Sequence, residues 1–402
     1  MTPRDTAARA FPWLLVTGIA LVALNLRTPI IAIAPVLREI EHDLGLTPTT
    51  AGLLTSIPVL CFALATPIAT AVIRWTGSER AIVFALLGVF AGTLLRSADG
   101  FPLALAGTVV IGVAITIGNV VVPVVIRRDV PPHRAQLVTG IYTAMLNVGS
   151  MLATLGTAPL AEVVGWRWAT ASWAALVILA LVVWGVHLRR MPPEVPETGS
   201  VTTDPPASAW RTPITWLLAG AFSAQAFSYY GMTTWLPSIL SDEQGLDVVS
   251  SGTFSSVFQI SAVIGALGVP LLGARTPRWV PAAVIGVLWV SLPAGMLLAP
   301  NGFLLWSILG GIAQGGGFTV VFSIIVRVAR SNRQATQMSA LVQAAGYLVA
   351  ALAPPLLGAV HEAVGGWTAS ITLVLVSTIA FLVLAIASTL LADRLRTRTR
   401  TP

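Results

Sequence analysis

Along this chain, stretches of about twenty residues with almost no charge alternate with short polar turns. That is the spacing a hydrocarbon layer ~30 Å thick demands of a helix rising 1.5 Å per residue. The pattern predicts twelve membrane-crossing segments: Pro12–Leu37, Thr49–Ile73, Ala81–Leu95, Phe101–Ile126, Ala135–Ala161, Trp166–Val186, Thr212–Leu240, Ser250–Gly273, Val280–Ala299, Gly302–Val326, Ala335–Val360 and Trp367–Leu391. The third is the shortest. One connection, His187 to Arg211, is longer and rich in proline and polar residues (Met191-Pro192-Pro193-Glu194, Asp204-Pro205-Pro206), and reads as a linker. The expected organisation is a first six-helix bundle over 1–187, a cytoplasmic linker over 188–211, and a second six-helix bundle with a basic tail over 212–402. Met1 to Arg9 followed by an apolar run imitates a signal peptide, but the run continues past Arg27 to Val36, long enough to span.

The two groups of six segments repeat one another. Arg134-Ala135-Gln136 returns as Arg333-Gln334-Ala335, and Glu162-Val163-Val164-Gly165-Trp166 returns as Glu362-Ala363-Val364-Gly365-Gly366-Trp367. Pro35, Gly52 and Gly112 return as Pro237, Gly252 and Gly311. A constant offset of about 200 residues implies two bundles in parallel orientation, related by an axis along the membrane normal.

Composition agrees with this picture and narrows it. With 402 residues, 55% hydrophobic and only 10% charged, the chain is neither disordered nor an ordinary soluble domain. All 23 basic residues are arginine and the formal net charge is +7, yet the charges lie in turns, which disfavours a nucleic-acid surface. Arginines collect in the turns on the side of the termini, so both termini are expected to be cytoplasmic in a multi-pass protein of the cytoplasmic membrane. The single cysteine, Cys61, lies in an apolar run, excludes an intrachain disulfide, and reads as a packing residue.

Two pseudo-symmetric six-helix halves are the architecture of the major facilitator superfamily, which the whole chain resembles. Over residues 24 to 81 the resemblance narrows. Leu24-Asn25-Leu26-Arg27-Thr28-Pro29, Leu44-Gly45-Leu46-Thr47, Ala51 to Ala63 and Ser78-Glu79-Arg80-Ala81 are similar to the branch of cyanate and 2-nitroimidazole transporters. The resemblance implies an all-α membrane protein with the major facilitator fold, in which helices 1, 4, 7 and 10 line a central cavity. It also implies an inner gate, for which Arg74, Arg80, Arg127 and Arg327 are the candidates. The family's loop between helices 2 and 3 usually carries an aspartate; no acid stands at Ile73 here.

Arg27 changes the picture most, because it falls halfway along the first segment. An arginine at the bilayer centre costs ~2.5–3.5 kcal/mol on insertion scales, so something specific must require it. None of the sixteen acids falls inside a predicted segment, and Arg27 is expected to be the lone buried charge. A missing counter-ion points to the cargo: a small anion or a nitro group, planar acceptors that suit a planar guanidinium. The competing reading places Arg27 on backbone carbonyls at kinks made by Pro29 and Pro35.

Polar and aromatic residues at similar depth complete the candidate site: Asn119 with Thr116, Tyr142, Asn147, Gln225 with Tyr229, Gln259 with Ser255, Gln314 with Phe318, and Gln343 with Tyr347. Aligning the halves through Pro35 and Pro237 sets Tyr229 opposite Arg27. Each polar residue has a bland alternative as a bridge between helices, and Tyr230 and Trp235 read equally well as packing. The glycines Gly310, Gly311, Gly315, Gly316 and Gly317 lack the Lys-Ser/Thr of a phosphate loop and are expected to let helices approach. No metal spacing, nucleophile elbow or carboxylate pair supports an enzyme. The expectation is a secondary transporter acting as a monomer, without cofactor, on a small anionic or nitro-bearing solute, with protons or a counter-anion as coupling partners. A drug-type exporter with a structural Arg27, and a non-transporting membrane sensor, are the alternatives.

Overall fold

The computed structural model describes residues 13–190, 212–329 and 331–398, without the side chains at 132, 133, 136, 332, 333 and 395–398, so most of the expected linker lies outside the described residues. All described elements are helical. Nine helices among them are long and apolar enough to cross a membrane, and the bent pair Pro48–Leu64 and Thr66–Thr76 adds a tenth. The run Leu137–Arg190 holds two crossings, because Gly165, at φ 77°, turns the chain back between them. Pro213–Gln244 is one long helix whose apolar run is diluted by Gln225, Ser228, Tyr229, Tyr230, Thr233 and Thr234, and is the remaining crossing.

Twelve spans follow. Span 1 is Trp13–Leu44, span 2 the bent pair, span 3 Ser78–Arg96 and span 4 Phe101–Asp129. Spans 5 and 6 share Pro132–Ser172, and span 6 continues through Ala174–Arg190, three residues past the expected start of the linker. Span 7 is Pro213–Gln244, span 8 Val248–Arg275, span 9 Val280–Leu298 and span 10 Phe303–Val328. Span 11 is Asn332–Ala350 with Ala353–Val364, and span 12 is Thr368–Arg398.

The repeat read from the sequence has matching local physics. Helix-capping side chains recur at Thr47, which accepts from the N–H of Thr50, and Asp247, which accepts from the N–H of Ser250. The indole of Trp166 donates to Asp43 at 3.1 Å, and that of Trp367 donates to Asp242 at 2.7 Å. Within lipid, helices associate through close contact rather than through water exclusion. Gly311 and Gly315 lie against the carbonyls of Phe258 and Ala262 with no room for a Cβ, so the glycine-rich stretch joins span 10 to span 8.

The halves meet mainly at one end. Span 1 touches spans 7 and 8, span 5 touches span 8, and span 2 touches span 11, with Gly252 against Thr154 and Pro35, Gly52 against Pro354, and Gly358 against Pro48. There Arg38 pairs with Asp242, Thr49 donates to Glu362 at 2.9 Å, Thr234 donates to Thr55 at 3.0 Å, and Ser56 donates to the carbonyl of Ala351. Ile33, Val36, Leu54 and Trp166 of the first half share one buried core with the second, whereas Val22, Leu26, Ile115 and Val121 belong to a core of the first half alone. Toward the termini span 2 bends by 62°, and its lower part presents Ile68, Arg74 and Trp75 to the outside. Among the described residues, the halves are closed at the loop end and parted at the end carrying the termini.

Candidate functional site

The site begins where span 1 breaks. Proline has no N–H, so Pro29 cannot complete the helical hydrogen bond to Asn25, and the ladder fails around it. Regular helix stops at Asn25 and resumes as the short turns Thr28–Ile31 and Ala34–Val36. Arg27, at φ −120° and ψ −40°, is the residue on which the chain turns. Its neighbours fasten the break. Asn25 donates to the carbonyls of Leu21 (2.8 Å) and Leu176 (3.1 Å), and Thr28 donates to those of Leu24 (2.7 Å) and Gly149 (3.3 Å). Asn-Leu-Arg-Thr-Pro is therefore a unit in which a proline opens the helix, two polar side chains hold it open, and the arginine projects.

Arg27 projects toward the other half. Its Nη1 donates to the hydroxyls of Tyr230 at 3.2 Å and Tyr229 at 3.5 Å, and its guanidinium carbon lies 5.6 and 6.0 Å from the Tyr229 and Tyr230 ring centres. These distances suit a cation–π contact. The expected opposition of Arg27 and Tyr229 is present, and Tyr230, which reads in sequence equally well as packing or as a ligand, is the nearer partner. Phe258 stacks on Tyr229 at 6.4 Å and Trp289 on Phe258 at 6.1 Å, a rigid backing. Among the described residues no carboxylate pairs with Arg27, and its hydrogen bonds go to hydroxyls rather than to the carbonyls of the competing reading.

Tyr142 of span 5 donates to Asn119 of span 4 at 3.2 Å, and the hydroxyls of Tyr142 and Tyr347 lie within reach of the Arg27 charge. The chain has four tyrosines: Tyr229 and Tyr230 bond to this arginine, Tyr142 holds Asn119, and Tyr347 sits between Phe62 and Phe222. A hydroxyl that accepts from Arg27 still has its own proton to give, and Asn119 keeps its amide N–H₂. The cluster is rich in donors and poor in acceptors.

An aromatic series leads away from it. Phe62 meets Tyr347 edge-on at 5.4 Å across the halves, Tyr347 meets Phe222 at 5.5 Å, and Phe222 meets Phe318 at 6.0 Å. Phe318, 47% exposed, stacks on Phe322 at 4.3 Å. Arg27, Asn119, Tyr142, Tyr229 and Tyr347 are thus brought together, with Phe318 at the end of the series.

The other polar candidates hydrogen-bond within their own halves. Gln225 is buried and donates to the carbonyl of Gln314 at 3.0 Å, and Gln259 is buried with Thr233 at 3.4 Å, so these amides bridge helices inside the second half. Asn147 and Gln343 each donate to their own helix, to Thr143 (3.0 Å) and Ser339 (3.3 Å). At the parted end Arg74, Arg80 and Arg127 are exposed and Arg327 is half-buried. In place of an acid at Ile73, Glu79 pairs with Arg128 at the foot of spans 3 and 4.

Two charges overturn the expectation that Arg27 is the lone buried one. Glu79 is 4% exposed, and Arg96, which reads as an outer-loop residue beside Asp99, is 1% exposed. Arg96 is the last residue of span 3, and its Nη1 donates to the carbonyl of Pro29 at 2.6 Å. In sequence it stands at the end of an apolar stretch, where a turn is expected; its side chain points back into the bundle.

Known proteins share both fold and sequence with the chain. The family described as Major Facilitator Superfamily matches residues 15–302. The chain is 32% identical over 357 residues to a 2-nitroimidazole transporter of Escherichia coli (strain K12), covering 88% of this chain and 90% of that one. It is 26% identical over 354 residues to the cyanate transport protein CynX of the same organism, covering 87% and 90%. Among solved structures, a D-xylose-proton symporter superimposes with a TM-score of 0.74 over 95% of this chain and 97% of its own, at 12% identity, a likeness of fold.

Proposed function

The chain belongs to the major facilitator superfamily and is a membrane transporter rather than an enzyme, and from that premise we propose that it carries a small anionic or nitro-bearing solute by alternating access. The observation that carries this reading is the donor-rich cluster around Arg27. An anion or nitro group accepts from the guanidinium and from the hydroxyls of Tyr229 and Tyr230, and it supplies the negative charge that no neighbouring carboxylate supplies. The names of the two relatives support it, since cyanate and 2-nitroimidazole both concentrate acceptor atoms on a small linear or planar body.

Arg27 binds the negative group, and Asn119, Tyr142 and Tyr347 orient the rest. Because Arg27 belongs to one half and its partners Tyr229 and Tyr230 to the other, a solute bound between them holds the halves together, and rocking about this level exposes it to either side. The protein sits in the cytoplasmic membrane as a monomer with both termini inside, so the parted end opens to the cytoplasm. Protons travelling with the solute, or a counter-anion, balance the moved charge.

The Phe62, Phe222, Phe318 and Phe322 series favours a second reading, export of neutral aromatic compounds with Arg27 held structurally by its tyrosines. A thermal-shift panel of small anions, nitroimidazoles and cationic drugs on purified protein, beside Arg27→Gln, separates the two. Stabilisation by anions or nitro compounds that disappears in Arg27→Gln supports the first, and binding unchanged by the substitution refutes it.

A further inference from the structure

We propose that Arg96 is a positioning residue for solute binding: by holding the Pro29 carbonyl it keeps span 1 broken at the angle that aims Arg27 across the halves. This rests on the reading that Arg27 binds the solute.

A guanidinium 1% exposed in a membrane bundle is expensive unless matched. Arg96 donates to Pro29, and its Nε and Nη2 have no hydrogen-bond partner among the described residues. Its nearest loop acid, Asp99, is instead paired with Arg167 at 2.7 Å. A charge tolerated on such terms is held for what it grips, and it grips the break. A continuous helix would commit the Pro29 carbonyl to the N–H of Ile33, but the chain is in a turn at Ala32–Ile33 and the carbonyl faces span 3.

Packing leaves Arg96 no other course. Its backbone is pressed against Gly107, and the carbonyl of Gly92 lies on the same glycine, so spans 3 and 4 are in backbone contact at this level. The second half supplies a control. Span 7 is one uninterrupted helix, with Gly231 about where span 1 has Pro29, and the end of span 9, Leu297-Leu298, carries no charge. Arginine accompanies the broken helix and is missing where the helix is whole.

The experiment measures equilibrium affinity for 2-nitroimidazole and for cyanate, solute-free melting temperature, and KM and maximal flux in proteoliposomes, on the full chain carrying Arg96→Met, Arg96→Lys, Pro29→Ala or Arg27→Gln. Arg96→Met is expected to weaken binding and raise KM about tenfold, the size of one charge-assisted hydrogen bond, with maximal flux held within about twofold. Arg96→Lys, which keeps a donor, is expected to retain affinity within about threefold. Pro29→Ala, which restores an N–H and mends the helix, is expected to weaken binding as Arg96→Met does, and it decides the matter if Arg96→Met does not fold. Wild-type affinity in Arg96→Met or Pro29→Ala overturns the inference, as does a loss of binding that tracks a fall in melting temperature and is not rescued by lysine. If Arg27→Gln loses binding while Arg96→Met keeps it, only this inference fails. If Arg27→Gln binds normally, the reading of Arg27 fails and takes this inference with it.

Discussion

Arg27 and Arg96 lie in the same half of the molecule on either side of one break, and they are held in opposite ways. Arg96 is shut in and bonded to a carbonyl of its own half, whereas Arg27 is partly exposed and bonded to hydroxyls of the other half. A charge whose partner moves with it has the same surroundings throughout a rigid rocking motion. A charge whose partners lie across the interface changes surroundings every time the halves part. Of the two, Arg27 is the one whose partners would be lost as the halves part, and on the proposed reading it meets the solute while Arg96 sets where it stands.

The largest expected effect breaks the contrast outright. Arg27→Gln should weaken equilibrium binding of 2-nitroimidazole by about 100-fold, the upper range for hydrogen bonds to a charged group, while leaving the melting temperature of the solute-free protein nearly unchanged. Isothermal titration and a melting curve check both halves of that statement. Next, Arg96→Met should act about tenfold on affinity but almost neutrally on stability. It leaves the Pro29 carbonyl unbonded and at the same time removes a buried charge that has no counter-ion, and these terms oppose one another.

A finer test separates the two tyrosines. Tyr230→Phe removes the 3.2 Å acceptor and should weaken binding about fivefold; Tyr229→Phe, at 3.5 Å, should do less, because it leaves the ring and its cation–π contact in place. Competition binding of one labelled nitroimidazole to both variants ranks them. The smallest effect belongs to a third arginine, Arg38, which crosses between the halves as Arg27 does but on the surface, paired with a partly exposed Asp242. Such a pair is worth ~0–1 kcal/mol and is screened by salt. Arg38→Ala should raise the labelling rate of a cysteine placed at Ser238 about twofold in dilute buffer, and the difference should vanish in 1 M salt.

Much of this was legible in the sequence, because apolar length, proline and a 200-residue repeat are properties of the chain itself. They located the twelve spans, the break at Pro29, and Tyr229 opposite Arg27. What stayed hidden depends on direction. Arg96 and Glu79 occupy the ends of apolar stretches, where charges ordinarily reach for water, and nothing in their spacing says that these two turn inward. Gln225 and Gln259 have the depth of site residues, but depth does not tell a cavity from the seam between two helices. Tyr230 was the mirror case. Neighbours on a helix point about 100° apart, so two adjacent tyrosines serve one arginine only when it enters between them. One signal pointed to Arg96: the pseudo-equivalent positions 297 and 298 are leucines, an asymmetry within a repeat.

With only four tyrosines, two of them bonded to Arg27, the protein is its own reporter. Grown on 3-fluorotyrosine, it would show four ¹⁹F resonances and no background from elsewhere in the fold. Three of them come from the second half, two against the guanidinium and one beside Phe62 at the seam, and the fourth donates to Asn119 in the first half. Solute occupancy and the parting of the halves would then be read in a single spectrum, without a label attached to any other residue.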